Sequence, residues 1–210
     1  MQKVTKTSIA ASAVILLHLV GTIGMLLPQW QPVMRALTPL NLLIVFVLVL
    51  AFQTKPSVSF YIFSATCFVL AFFAEVIGVK TGWPFGAYAY GPTLGWKIFD
   101  VPVIIGANWV VLVLCTASLC RWIENKWLAS GAGALLMVGM DFLIEPVAIA
   151  HDYWTWVLPE VPLQNYVGWG ALAFVLHLLL YFSGSSTRNE LDIYVVSVQF
   201  FFFLILNVVA

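Results

Sequence analysis

Asp141 and Glu145 stand four residues apart inside an otherwise apolar run, GALLMVGMDFLIEPVAIA, and Glu75 stands near the end of another, FYIFSATCFVLAFFAEVIG. A spacing of four places the first two on one helical face. A charged side chain near the centre of a bilayer costs about 2.5–3.5 kcal/mol even on lenient insertion scales, so three acids ask for a functional reason. Buried carboxyls can give and take protons, which makes acid catalysis the first chemistry to consider. The competing explanation is structural, with the acids bonding helices together through amides such as Asn108 or Asn165.

Those acids must be carried by membrane helices. Hydrophobic residues make up 62% of the 210-residue chain and charged residues only 9%, far below the roughly 25% charged share of soluble domains. About 20 apolar residues of helix cross a hydrocarbon core. Spans are predicted at Ser8–Leu27, Ala36–Phe52, Ser57–Gly78, Val101–Cys120, Leu128–Ala150, Val167–Phe182 and Asn189–Val209, the second and sixth being the shortest. The expected fold is all-α: a polytopic bundle of about seven spans, or six if Ala36–Phe52 does not cross, forming a single domain over residues 1–210. The first apolar run follows Lys3 and Lys6 but is too long for a signal peptide and lacks a small-residue cleavage site, so it is expected to remain as a helix. With seven spans, Lys3, Lys6, Lys55, Arg121, Lys126 and Arg188 share the amino-terminal side, while Arg35, Lys80 and Lys97 fall on the other. The positive-inside rule then puts the amino terminus in the cytoplasm.

The connections Val79–Asp100 and His151–Tyr166 fall on one common face and are unlike the other, short and polar turns. Trp83, Phe85, Tyr88, Tyr90 and Trp96 crowd the first, and Tyr153, Trp154, Trp156 and Tyr166 the second. Long Gly- and Pro-rich loops are often functional lids. Aromatic residues also gather at membrane interfaces as a belt, which explains single rings but not their clustering beside three acids. Asp100-Val101-Pro102 precedes Trp109 at the spacing by which Glu160-Val161-Pro162 precedes Trp169. Capping at a helix start accounts for most of this match. The remainder hints at a parallel two-helix repeat, segments three and four against five and six, with a site at the interface. Pro146 removes an amide from its helix and favours a kink.

Other chemistries lack their residues. His18, His151 and His177 are scattered, without the clustering that a non-haem iron or zinc site requires. Cys67, Cys115 and Cys120 show no metal or redox spacing, and there is no glycine-rich phosphate or dinucleotide loop. The last span has no lysine to form a retinal Schiff base.

The runs TGWPFGAYAY, LGWKIFDVP, DFLIEPVA, WTW and VPLQNYVGW together resemble the integral-membrane carotenoid biosynthesis proteins, the family that includes the CruF-type carotenoid 1,2-hydratases. The resemblance covers roughly residues 70–182. It implies cofactor-free addition of water to the terminal C1=C2 bond of an acyclic carotenoid end group, giving a tertiary alcohol. Its implied partners are a hydrophobic polyene, water and the lipid of a cytoplasmic (inner) membrane, with contacts to other enzymes of the pathway and none to nucleic acid.

Such hydration needs an acid able to protonate carbon, rings to tolerate a tertiary cation and a placed water. The candidate catalytic residues are Glu75, Asp141 and Glu145, with Glu145 or Asp141 as proton donor and Glu75, or whichever acid is ionised, orienting the water. Trp83, Phe85, Tyr88, Trp109, Trp154, Asn165 and Trp169 are the candidate substrate-facing residues, ring faces contributing about 0.5–2 kcal/mol each to a desolvated cation. Two alternatives use the same acids: a proton-initiated end-group cyclase, which must exclude water, and a non-enzymatic transporter or proton channel.

Overall fold

The computed structural model describes residues 5–185 and 188–209; Lys3, used above for orientation, lies outside them. Among the described residues seven helices form the body: α1 (Lys6–Leu26), α2 (Gln31–Ala51), α3 (Val58–Thr81), α4 (Ile104–Leu119), α5 (Lys126–Ala150), α6 (Leu163–Phe182) and α7 (Asp192–Val209). Their boundaries follow local chemistry. The Thr5, Ser57 and Asn125 side chains cap α1, α3 and α5 by accepting from amides of the first turn, satisfying donors that helix geometry leaves open. Gly82, at φ 73°, ends α3 in the left-handed conformation that glycine adopts freely.

Six of these helices are long and apolar enough to cross a membrane, so the chain is a polytopic membrane protein. Both segments expected to be shortest are full spans of 21 and 20 residues. The short helix is instead α4, whose 16 residues rise only about 24 Å. It starts late because Val101 and Pro102 lie in a strand, so the first acid-Val-Pro element does not open a helix directly, whereas Pro162 is the N-cap of α6. Nearly all of α4 is buried, packed on α2, α3, α5, α6 and α7. An apolar helix with no polar stripe suits that central place, and enclosed by protein it need not match the lipid thickness. α1 packs against α2 and α7, and α5 runs through Pro146 as one continuous helix.

The connecting loops carry four short strands that helical periodicity does not announce. β1 (Tyr88–Tyr90) pairs antiparallel with β4 (Trp154–Trp156), and β2 (Lys97–Ile98) with β3 (Val101–Pro102). The β1–β4 register sets Tyr88 opposite Trp156 and Tyr90 opposite Trp154. Because side chains alternate along a strand, all four rings share the inner face, while Ala89 and Thr155 face outward. Polar ties hold this lid down. Arg35 of α2 donates to Asp152 (2.9 Å) and to the Ala150 carbonyl (3.1 Å), and Gln164 of α6 donates to the Gly82 carbonyl (3.0 Å).

Candidate active site

Glu75 lies one and a half turns before the end of α3 and is enclosed by donors. Tyr88 and Tyr90 of β1 donate to its Oε2, the latter at 2.8 Å, and the Trp109 indole of α4 donates to Oε1 at 3.0 Å. Burial, reinforced by the Glu75 carboxylate, pushes both phenols well above their ordinary range, so they act as neutral donors. Glu145 of α5 has a matching set. The Trp154 and Trp156 indoles of β4 donate to its Oε2 at 3.0 and 2.8 Å, and Asn165 of α6 donates to Oε1 at 3.1 Å.

Asn165 also donates to Asp141 Oδ2 at 2.7 Å, so one amide ties two carboxyls. The other Asp141 oxygen is buried without a hydrogen-bond partner. All three acids are shielded from solvent. The Trp109 ring, bonded to Glu75, stacks on that of Trp169 with centroids 4.2 Å apart.

These groups form two adjoining walls of a cavity of about 190 Å³, Glu75, Tyr88 and Trp109 in one and Glu145, Trp154 and Trp169 in the other, meeting at the Trp109–Trp169 stack. The cavity extends away from the acids toward α1, α2 and α7. There Leu17, Val20 and Leu37 line it while remaining 37%, 51% and 45% exposed, so it opens sideways between α1 and α2 onto the surface that faces lipid. An apolar chain can enter along that route without crossing the polar lid.

The sequence family described as "Carotenoid biosynthesis protein" matches residues 37–210. The chain belongs to that family. Among curated proteins, a bisanhydrobacterioruberin hydratase from Haloarcula japonica is 34% identical over 114 residues, covering 49% of this chain and 39% of the relative. The match thus spans about two-fifths of that protein's length. No solved structure matches.

Within this carotenoid biosynthesis protein most of the expected residues converge. Glu75, Glu145, Phe85, Tyr88, Trp109, Trp154, Asn165 and Trp169 all border the cavity. Two do not. Asp141 is fully buried behind the wall, one turn below Glu145 and in contact with it through Asn165. Trp83 is 67% exposed, because the left-handed Gly82 turns the chain outward and its amide is held by Thr81. The aromatic-belt reading fits Trp83 better than a place beside substrate. Tyr90 and Trp156, not selected as substrate-facing from the sequence, border the cavity and hold the two glutamates. The alternations Tyr88-Ala89-Tyr90 and Trp154-Thr155-Trp156 are the signal that identifies them.

Proposed function

We propose that this protein is a carotenoid hydratase that adds water across the terminal C1=C2 bond of an acyclic end group without a cofactor. The observation that carries the proposal is a pair of buried carboxyls lining one ring-lined cavity that opens to lipid. Membership of the carotenoid biosynthesis family and likeness to a named hydratase support the substrate class and the reaction.

In this reading the polyene enters between α1 and α2 and presents its tip to the acids. Glu145 enters as the carboxylic acid and Glu75 as the carboxylate. The assignment rests on one difference between their partners: each glutamate accepts three hydrogen bonds, but only Glu145 shares a donor, Asn165, with a second carboxyl. Two acids joined through one amide are well suited to hold one proton between them. Glu145 delivers that proton to C2, and the alkene π pair becomes the new C–H bond. The positive charge left on C1 lies among Trp109, Trp154 and Trp169, whose faces stabilise it. Water bonds to C1, its proton passes to Glu75, and the sum is one water added. Return of the proton from Glu75 through water at the loop face resets the pair. Asp141, which does not reach the cavity, is a positioning residue that acts through Asn165.

The two halves are read as copies of one unit, acid-bearing helix, aromatic strand and returning helix, facing each other across the β1–β4 ladder and the Trp109–Trp169 stack. The amino terminus is assigned to the cytoplasm and the protein to the cytoplasmic membrane, with other enzymes of the pathway as neighbours.

The test is product analysis in membranes that contain an acyclic or monocyclic carotene and oxygen-18 water. A product one water heavier, with the label in its hydroxyl, is expected. Unchanged mass favours the cyclase, and label entering only from dioxygen overturns the proposal in favour of a hydroxylase.

A further inference from the structure

The face of α4 that meets the cavity carries a polar side chain that the reaction above leaves unused. Ile105, Asn108, Trp109 and Leu112 all border the cavity, at the spacing that sets them on one helical stripe. Ile105, Trp109 and Leu112 are buried, whereas Asn108 is only partly so. Five helices pack around α4, so the accessible part of Asn108 looks into the cavity. Its amide does not tie the acids to their helices. Among the described residues the donors to Glu75 are Tyr88, Tyr90 and Trp109, and those to Glu145 are Trp154, Trp156 and Asn165.

A carboxylate accepts about two hydrogen bonds at each oxygen. Glu75 Oε2 has both, from Tyr88 and Tyr90, while Oε1 has one, from Trp109. The remaining acceptor position is therefore on Oε1, the oxygen held by the residue that follows Asn108. A water in an otherwise apolar cavity needs about two to four polar partners. Oε1 and the Asn108 amide offer two from one stretch of wall. The other wall has no counterpart. Where Trp169 answers Trp109, the position of Asn108 is taken by Gly168, and a Cβ there would meet the Pro84 carbonyl oxygen at 2.8 Å.

We infer that Asn108 holds the attacking water: its Oδ1 accepts one hydrogen of that water while Glu75 Oε1 accepts the other, which turns an oxygen lone pair toward C1. That pair becomes the new C–O bond, and the hydrogen shared with Oε1 passes to Glu75 as a proton. This inference rests on the hydratase reading. It adds that capture of the cation, and not its formation, depends on Asn108.

The experiment incubates membranes containing the full chain and an acyclic carotene in deuterium oxide, and reads two quantities by mass: hydrated product, and deuterium in the carotene that is recovered unhydrated. Deuterium enters that carotene when C2 is protonated and the cation then loses a proton instead of gaining water. Asn108→Leu is expected to lower hydration about 10–100-fold, the cost of a misplaced reactant, while deuterium in the recovered carotene stays at or above the parent level. Glu145→Gln is expected to lose both. Asn108→Ala carries the same test should the leucine variant fail to fold. Hydration at the parent rate in a folded Asn108 variant overturns the inference and leaves the hydratase reading standing. So does a fall of both quantities together, since the amide then serves protonation and not water. Absence of hydrated product from the unaltered protein removes the hydratase reading, and the inference with it.

Discussion

The two walls of the cavity share a scaffold but differ in what surrounds their acids. On each, a glutamate near the end of a helix is held by two rings from a three-residue strand, and the helix that follows contributes a stacked tryptophan. One turn before Glu75 the wall has Ala71, and one turn before Trp109 it has Ile105, both buried. The corresponding positions opposite are Asp141 and Asn165. Two buried apolar residues on one wall thus stand where the other wall has a hydrogen-bonded acid and amide. The difference teaches that the scaffold positions two carboxyls alike, while only the Glu145 wall carries a second acid tied to the first through an amide.

The sharpest way to break this comparison is to neutralise each glutamate. Glu145→Gln and Glu75→Gln are each expected to lower hydration about 10²–10⁴-fold, the range for loss of a general acid or base, read as hydrated product in carotene-containing membranes. Full activity in either variant removes that wall from the chemistry. Asp141→Asn is expected to cost less, about tenfold in kcat with KM little changed, and to move the limb of the pH–rate profile that belongs to the acid. An unmoved profile assigns Asp141 a purely structural part.

The tryptophans separate the walls by stability. Trp109→Phe removes a donor from buried Glu75 and is expected to cost about 1–3 kcal/mol, read as thermal unfolding in detergent. Trp169→Phe leaves both glutamates with their donors and is expected to cost less. The smallest effect concerns the Lys80–Asp100 ion pair beside the Glu75 wall. The hydrogen bond from Lys80 holds Asp100 below its ordinary 3.8. A depressed carboxyl stabilises the fold above its unfolded value and loses that contribution as pH falls through the folded one. The pair therefore matters near neutrality, fades below about pH 4, and is fully solvent-screened. Lys80→Met is expected to leave thermal stability almost unchanged at neutral pH, and any difference from the parent protein disappears on strong acidification.

Much of this was legible in the residues. Uninterrupted apolar runs announce the helices, and carboxyls inside such runs announce the site. A four-residue spacing shows that Asp141 and Glu145 share a face, yet not which turn of it meets a cavity, so the spacing alone leaves both as candidate catalytic residues. The shortness of α4 was hidden because Val101 and Pro102 continue its apolar run while pairing as a strand. Three-residue strands are too brief for periodicity to stand out among glycines and prolines, although their alternate rings were visible.

On the proposed reaction, the sideways opening between α1 and α2 also sets the order of events on a long symmetric polyene. A molecule threaded by one tip leaves its other tip outside, in the hydrocarbon. Modification of both ends then requires departure, reorientation in the bilayer and a second capture. On the proposed reaction the enzyme is distributive, so a singly altered pigment accumulates before the doubly altered one.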